Sequence, residues 1–168
     1  MQICLVRHAI AVERGTRGFE NDGLRPLTPR GRDRMREAAA GLATLITPQV
    51  VLTSPLLRAT QTAEILAAAY RLSPPRQVEA LATGDDAALL KEIRDLDAAV
   101  VMLVGHEPYL SGTLSLLLTG DSARMSTDLK KGAAALVACD RDPDPGSCWL
   151  EWLLQPSALR SLNPSRRA

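Results

Sequence analysis

The first nine residues read M-Q-I-C-L-V-R-H-A (1–9), and they contain the pattern that decides the fold. Residues 3–6 form an uninterrupted apolar run that ends at Arg7. A short run without alternation of apolar and polar residues is typical of a strand that helices bury on both faces. Residues 50–52 and 100–104 show the same pattern. The sequence therefore predicts three strands in the interior of a sheet.

Helices are predicted between these strands, because hydroxyl residues and prolines mark their starts. Thr28 before Pro29 places a capping residue ahead of a proline at the first helical position. The predicted helices cover residues 29–45, 55–70, 86–96 and 108–118, and two further strands cover residues 135–139 and 149–154. Strands that alternate with helices predict an α/β three-layer sandwich with a mainly parallel central sheet and helices on both faces.

The composition is that of an ordinary globular protein. The 168 residues carry 20 Lys and Arg against 19 Asp and Glu, a formal net charge of +1, and 46% are hydrophobic. These values predict one domain over residues 1–168 and exclude collagens and disordered chains. The tail at about 157–168 is expected to begin as a short helix from Pro156 and then to fray. Nucleic-acid binding is not expected, since the charge is nearly balanced and only 3% of residues are aromatic.

Cysteine usage and apolar run lengths bear on the cellular location. Cys4, Cys139 and Cys148 are an odd number at wide spacings without a C-x-x-C pair, so we predict buried small hydrophobic residues rather than a zinc site or a redox pair. The run at residues 3–6 is too short for the core of a signal peptide, and none of the other runs reaches the length of a membrane span. A cytoplasmic protein without a membrane partner is expected.

The candidate chemistry lies where the predicted strands end. The chain has two histidines, His8 and His106, and each follows a buried strand closely. Arg7 adjoins the first histidine, and Arg58 falls in the first turn of the helix after the second strand. Carboxyl ends of parallel strands meet at the ligand-binding edge of an α/β sheet. Guanidinium groups and helix starts suit a tetrahedral oxyanion, so the pattern predicts a phosphate pocket.

Each of these residues also has a plainer structural explanation. A histidine taken alone is more often a hydrogen-bonded core residue or a solvated one than a catalytic one. Asp85 and Asp86 fit the N-cap of a helix, and Glu13 and Glu107 fit solvated charges. No metal site is predicted, because the two histidines are far apart in sequence and form no H-x-x-x-H or H-x-E motif.

Three separated motifs then carry a resemblance to a known family. The segments L-V-R-H-A (5–9), S-P-L-L-R-A-T-Q-T-A (54–63) and L-V-G-H-E-P (103–108) resemble the histidine phosphatase superfamily, also called the phosphoglycerate mutase-like family. The segments R-P-L-T-P-R-G (25–31) and L-A-T-G-D (81–85) are similar to its SixA-like phosphohistidine phosphatase branch. The resemblance covers nearly the whole chain and implies the phosphoglycerate mutase-like fold.

The resemblance also implies roles for individual residues. His8 would be the nucleophile that forms a phosphohistidine, and Arg7 and Arg58 would clamp the phosphoryl oxygens. His106 would be the second pocket histidine, and Arg25 matches a basic position that would bind substrate. The family mechanism needs no metal and no organic cofactor. Phosphate, vanadate and tungstate are the expected pocket ligands.

Two departures from the family pattern stand out. Ala9 replaces the commoner glycine after the first histidine, which is tolerable where the backbone has a negative φ. Larger branches place a carboxylic acid after the third strand as a proton donor, whereas this chain offers only Glu79, Asp85 and Asp86 there without a clear motif. Asp85 is the candidate acid. A weak acid favours a phosphohistidine substrate, because a leaving imidazole has a conjugate acid of pKa about 6.5 and departs far more easily than an alkoxide.

Three functions are compatible with these residues. The first is a phosphohistidine phosphatase that acts on a signalling or phosphotransfer protein through a covalent enzyme intermediate. The second is a phosphomonoesterase that uses the same residues on a small phosphorylated substrate. The third is a non-catalytic module that binds phosphorylated partners, against which the intact pair of histidines argues.

Overall fold

The computed structural model describes residues 1–166 of the chain, and this part contains one mixed six-stranded sheet. In chain order the strands are β1 (Gln2–Arg7), β2 (Val50–Thr53), β3 (Arg76–Gln77), β4 (Val100–Gly105), β5 (Ala134–Cys139) and β6 (Cys148–Leu154). Across the sheet they lie in the order β3-β2-β4-β1-β5-β6. The pairs among β1 to β4 are parallel, and β5 is antiparallel to both β1 and β6. The mainly parallel sheet predicted from the sequence is confirmed.

Helices cover both faces of this sheet. In chain order they are α1 (Pro29–Leu42), α2 (Leu57–Tyr70), α3 (Ala80–Thr83), α4 (Asp86–Arg94), α5 (Tyr109–Thr119) and α6 (Pro156–Ser161). Apolar residues of α1, α2 and α6 pack in one core cluster, and those of α3, α4 and α5 pack in a second one. The protein is therefore an α/β three-layer sandwich, as predicted.

Strand β1 shows why the sheet has two cores. Ile3 and Leu5 belong to the cluster beneath α3, α4 and α5, whereas Cys4 and Val6 belong to the cluster beneath α1, α2 and α6. All four side chains are fully buried. Successive side chains of a strand point to opposite faces, so an unbroken apolar run places β1 between two helical layers.

Predicted and observed helix boundaries differ by one to three residues: α4 ends at Arg94 rather than at residue 96, and α5 is shifted by one residue. The local structure accounts for two further differences. The helix predicted to reach residue 45 ends at Leu42, where the hydroxyl of Thr44 donates to the carbonyl oxygen of Gly41 at 2.7 Å and competes with the helical pattern. The helix predicted from residue 55 begins at Leu57 without a side-chain cap. The hydroxyl of Ser54 contacts the backbone N–H of Leu56, one residue before the helix, and Nε2 of His106, so it does not cap the first turn of α2.

The prediction for the cysteines was incomplete. All three are buried, but a disulfide joins Cys139 and Cys148. The two residues are directly opposite each other in the antiparallel β5–β6 pair, with their Cα atoms 4.5 Å apart. This pairing depends on a strand register that the cysteine spacing does not reveal. The cytoplasmic location expected from the sequence stays a prediction.

The carboxyl-terminal tail begins as a short helix, as predicted, and this helix is α6; a turn of 3-10 helix at Pro164–Arg166 then stands where fraying was expected. Helix α6 packs on α1, and Leu159 is fully buried there. The close approach requires Gly41, since a Cβ at this position would clash with the Leu159 carbonyl oxygen. Residues 167 and 168 lie outside the described residues. No helix within the described chain is both long and apolar enough to span a membrane.

Candidate active site

A cavity of about 410 Å³ opens where β1 and β4 end. It brings together all four residues that the motifs single out, and the rings of its two histidines have centroids 5.0 Å apart. The side chains that line it are Arg7, His8, Glu13, Arg14, Arg25, Arg58, His106, Glu107 and Lys131. Five of these nine side chains are Arg or Lys and two are Glu. The cavity therefore has an excess of positive charge.

His8 is held as a neutral imidazole with a defined tautomer. Its Nδ1 lies 2.7 Å from the carbonyl oxygen of Ala9, and a carbonyl oxygen only accepts hydrogen bonds. Burial lowers the pKa of His8 to about 3; the hydrogen bond to Ala9 opposes this shift, while nearby His106 and the pocket arginines add to it. At neutral pH the single ring proton is therefore on Nδ1, and Nε2 carries a free lone pair.

His106 is also neutral at physiological pH. Burial, with the positive charge of Arg58 as the next contribution, lowers its pKa to about 4, although the Asp22 carboxylate acts in the opposite direction. Its Nε2 lies 2.8 Å from Oγ of Ser54, which follows β2 directly and also accepts the backbone N–H of Leu56 at 3.3 Å. The ring is thus fixed by a residue from a neighbouring strand end.

The two arginines are anchored by backbone oxygens. Nη1 of Arg7 donates to the carbonyl oxygen of Leu129 at 2.6 Å, and Nη1 of Arg58 donates to that of Asp22 at 2.8 Å. Three buried nitrogens, Nε of Arg7, Nε of Arg58 and Nδ1 of His106, have no hydrogen-bond partner within residues 1–166. Unpaired buried polar atoms are rare in folded proteins. A bound oxyanion is a ligand that suits such donors.

Asp22 does not line the cavity but pairs with three arginines that do, and it was not predicted from the sequence. Its Oδ1 accepts from Nε of Arg14 at 2.9 Å and from Nε of Arg25 at 3.0 Å, and its Oδ2 lies 3.2 Å from Nη2 of Arg58. Burial raises its pKa, but the hydrogen bond from Arg14 and the charges of Arg58 and Arg25 outweigh this effect and hold the pKa at about 2. One loop carboxylate therefore orients three guanidinium groups. The nearby sequence signal was an Asp three residues before Arg25.

The segment after His8 is tied to α2. The backbone N–H of Ala9 donates to Oγ1 of Thr62 at 3.0 Å, and this hydroxyl donates to the carbonyl oxygen of Arg58 at 2.7 Å. Ala9 has no positive φ, because Arg71 is the only non-glycine residue with one in the described chain. The alanine that replaces the commoner glycine therefore causes no backbone strain.

Of the two further candidates, Arg25 lines the cavity and Asp85 does not. Arg25 is buried at the cavity wall, where its Nη1 donates to the carbonyl oxygen of Val12 at 2.5 Å. Asp85 does not line the cavity; its carboxylate caps α4 by accepting the N–H of Ala88 at 3.0 Å. The candidate acid at Asp85 is therefore not retained, and its capping explanation holds.

The other acidic candidates divide into those outside the cavity and those that line it. Asp86 accepts from the hydroxyl of Thr113 at 2.6 Å, outside the cavity, and Glu79 precedes α3. Glu13 and Glu107 do line the cavity, but the carboxylate of Glu107 accepts from Oγ of Ser111 at 2.8 Å. No group of three or more potential metal-ligating side chains is present in residues 1–166.

Comparison with known proteins places this geometry in a family. Residues 3–83 match the histidine phosphatase superfamily (branch 1). An uncharacterized protein of Picosynechococcus sp. is 37% identical over 141 residues, which make up 81% of this chain and 84% of that protein.

Solved structures agree with this match. The protein histidine phosphatase SixA complexed with tungstate is 27% identical, with a TM-score of 0.73 over 95% of this chain and 99% of that chain. A protein of Nakamurella multipartitia assigned as a phosphohistidine phosphatase SixA is 26% identical, with a TM-score of 0.74 over 94% and 96% of the two chains. A protein of Escherichia coli assigned as an α-ribazole-5'-P phosphatase is only 16% identical and shows the fold alone, with a TM-score of 0.73 over 94% and 98%.

Proposed function

We propose that this chain, which belongs to the histidine phosphatase superfamily and to its SixA-like branch, is a phosphohistidine phosphatase. Its substrate is a phosphohistidine on a signalling or phosphotransfer protein. The observation that carries the proposal is the neutral His8 ring, whose proton is held on Nδ1 by Ala9 while Nε2 is free beside two arginines.

His8 acts as the nucleophile. Its Nε2 lone pair attacks the substrate phosphorus in line and forms a new P–N bond. The P–N bond to the substrate breaks, and its electron pair goes to the substrate nitrogen; a proton taken from solvent by the other ring nitrogen makes the leaving group a neutral imidazole. A neutral imidazole is a competent nucleophile near pH 7, and the lowered pKa of His8 keeps it in this form. Water then attacks the enzyme phosphohistidine, the electron pair returns to Nε2, and inorganic phosphate leaves.

Arg7, Arg58 and His106 stabilise the charge of the transferring phosphoryl group. Phosphoryl transfer requires positioning and electrostatic stabilisation more than covalent chemistry from the protein. The buried nitrogens without partners on these three residues supply donors for the phosphoryl oxygens. The hydroxyl of Ser54 accepts the backbone N–H of Leu56 and donates its own proton to Nε2 of His106. The ring proton of neutral His106 is then on Nδ1, which donates it to a phosphoryl oxygen. Arg25 extends the positive wall toward the substrate.

The acid–base equipment of the cavity suits a substrate with a good leaving group. The conjugate acid of a leaving imidazole has a pKa of about 6.5, so its departure needs little help from an acid, unlike that of an alkoxide. The sequence candidate Asp85 caps a helix, and Glu107 is engaged with Ser111. Glu13 lines the cavity and is exposed, and its carboxylate has no hydrogen-bond or ion-pair partner within residues 1–166. The reaction uses no metal and no organic cofactor in this scheme.

The test is a comparison of kcat/KM for three substrates under one set of conditions. These are a phosphohistidine peptide, p-nitrophenyl phosphate and a panel of alkyl phosphate esters. We expect the peptide to be hydrolysed fastest, the aryl ester more slowly and the alkyl esters slowest, with activity retained in EDTA and inhibited by tungstate. A higher kcat/KM for an alkyl ester than for the peptide would instead support a small-molecule phosphomonoesterase.

A further inference from the structure

A second concave surface adjoins the active-site cavity. It is a groove of about 230 Å³ between α1, residues 130–132 and the start of α6. Lys131 lines both the groove and the active-site cavity, and Ala9, the neighbour of His8, lines the groove. A chain that lies in this groove therefore passes next to the proposed nucleophile. We name this surface the basic groove.

The charge of the basic groove has one sign. The described residues that line it include four cations and no Asp or Glu; the cations are Arg34, Lys130, Lys131 and Arg160. The first three make no ion pair within the described residues. Arg160 has Glu37 at 3.7 Å, but that carboxylate lies nearer to Arg166, at 2.8 Å. Four cations in one groove are a marked local excess, since the whole chain has a net charge of +1.

Crowding of positive charge is visible at Arg160. Its side chain is mostly buried, and burial together with the charge of Arg34 lowers its pKa, although the Glu37 carboxylate acts in the opposite direction. Further arginines at positions 30 and 166 act in the same direction. An acidic ligand would relieve this repulsion, because attraction between opposite charges is strongest where the groups are partly shielded from water.

The wall of the basic groove is fixed to the active site by the backbone. The N–H of Gly132 lies 3.1 Å from the carbonyl oxygen of Arg7 and 3.2 Å from that of His8. Gly132 has a φ of 84°, a conformation that side chains disfavour and that lets the chain turn here. A segment that binds the groove therefore contacts a wall whose position relative to His8 is set.

The chemical character of the groove indicates what kind of ligand it takes. Between the cations lie apolar side chains, among them Met35 and Pro156, and no aromatic side chain lines the groove. Binding of single-stranded nucleic acid commonly uses aromatic platforms on which bases stack. Cations around an apolar floor instead match a polypeptide in which carboxylates flank apolar side chains.

We propose that the basic groove binds an acidic segment of the protein that carries the phosphohistidine. The proposal rests on the proposed function and adds how the substrate protein is selected. The acidic segment lies across α1 and residues 130–132, and the phosphohistidine enters the neighbouring cavity. Small phosphate esters reach only the cavity, so their hydrolysis does not depend on the groove.

The test uses two synthetic peptides that each contain one phosphohistidine. In one peptide four glutamates flank the histidine, and in the other four glutamines replace them. We expect the unmodified protein to show a kcat/KM about 10-fold higher for the acidic peptide, which corresponds to about 1.4 kcal/mol. The double variant Arg34→Glu, Lys130→Glu should lose this preference and keep its kcat/KM for p-nitrophenyl phosphate within twofold. Lys131 is left intact because it also lines the cavity.

Two control variants make the result specific. Arg141→Glu changes the charge in the same direction in the turn between β5 and β6, at the other end of the sheet, and should keep the peptide preference. Arg34→Gln, Lys130→Gln removes the charges without reversing them and should weaken the preference with little risk to folding.

Several results would overturn the proposal. One is equal turnover of the two peptides by the unmodified protein, and another is a preference that survives in both double variants. Competition by a short single-stranded oligonucleotide but not by polyglutamate would assign the groove to nucleic acid instead. Hydrolysis of p-nitrophenyl phosphate with neither peptide turned over would contradict the proposed function itself, and the groove would lose its role with it.

Discussion

The two ends of the central sheet carry different kinds of interaction. At the end where β1 and β4 finish, His8 and His106 are buried in a cavity with arginines. Three buried nitrogens of Arg7, Arg58 and His106 have no hydrogen-bond partner there among residues 1–166. At the opposite end of β5, a disulfide joins Cys139 to Cys148, and the amino group of Met1 donates to the carbonyl oxygen of Cys139 at 2.9 Å. Polar groups at the cavity end are available to a ligand, whereas those at the disulfide end are bonded within the protein.

This difference separates the residues that should control rate from those that should control stability. Buried polar groups without partners cost free energy in the folded state, and such costs occur mainly at functional sites. A cross-strand disulfide contributes to stability and is far from the cavity. Substitutions at the cavity end should therefore lower the catalytic rate more than the stability, and substitutions at the disulfide end should do the reverse. Four predictions test this contrast.

The largest expected effect is that of His8→Ala. Loss of the proposed nucleophile should lower kcat for p-nitrophenyl phosphate by about 10³-fold or more, while the far-UV circular dichroism spectrum is retained. The free energy of unfolding should change little, since loss of the hydrogen bond to the Ala9 carbonyl oxygen is offset by removal of a buried polar ring. Activity within tenfold of the unmodified protein would show that the contrast between the two ends is wrong.

Lower stability with nearly unchanged activity is expected for the double variant Cys139→Ser, Cys148→Ser. The disulfide closes a loop with a sequence separation of 9 residues. Loop-closure entropy then predicts a loss of about 2–3 kcal/mol in the free energy of unfolding, measured by urea denaturation. The value of kcat/KM should stay within twofold. A strong loss of activity at unchanged stability would place this end of the sheet in the catalytic machinery.

The two histidines at the cavity end should also make the stability of the protein depend on pH. The folded-state pKa values of His8 and His106, about 3 and about 4, lie below the unfolded value of about 6.5. The unfolded chain therefore binds more protons between these limits, and stability falls as pH falls from about 6.5 to about 4. Each histidine contributes a slope of up to about 1.4 kcal/mol per pH unit. The variant His8→Gln should show a shallower slope in urea denaturation series, and an identical slope would contradict the burial argument.

The smallest of the four effects is expected for Asp22→Asn. The substitution weakens the ion pairs to Arg14, Arg25 and Arg58, so the guanidinium groups lose their fixed orientation. We expect kcat/KM to fall by about 10-fold, since small displacements of positioning groups reduce rate strongly. Asp33→Asn is the matched control, because it breaks an exposed pair with Arg36 on α1 and should leave kcat/KM unchanged.

The contrast also explains what the sequence could predict. His8, His106 and Arg58 were found because each closely follows a buried strand, and parallel strands bring such positions to one edge. Asp22 was missed, because its contacts depend on the path of the loop from residue 9 to residue 27. The disulfide was missed because it depends on the β5–β6 register, which places residues 139 and 148 opposite each other. Local patterns therefore predicted the elements and the strand ends, whereas loop paths and hairpin register needed three-dimensional coordinates.

The measurement that tests the central claim most directly is detection of the covalent intermediate. The protein is quenched at high pH during turnover of p-nitrophenyl phosphate, and its peptides are mapped by mass spectrometry for the mass gain of a phosphoryl group. The account predicts a label on the peptide that contains His8, absent in His8→Ala, and more abundant if His106→Ala slows its hydrolysis. A label on another peptide, or full activity in His8→Ala, would contradict the assignment of His8 as the nucleophile.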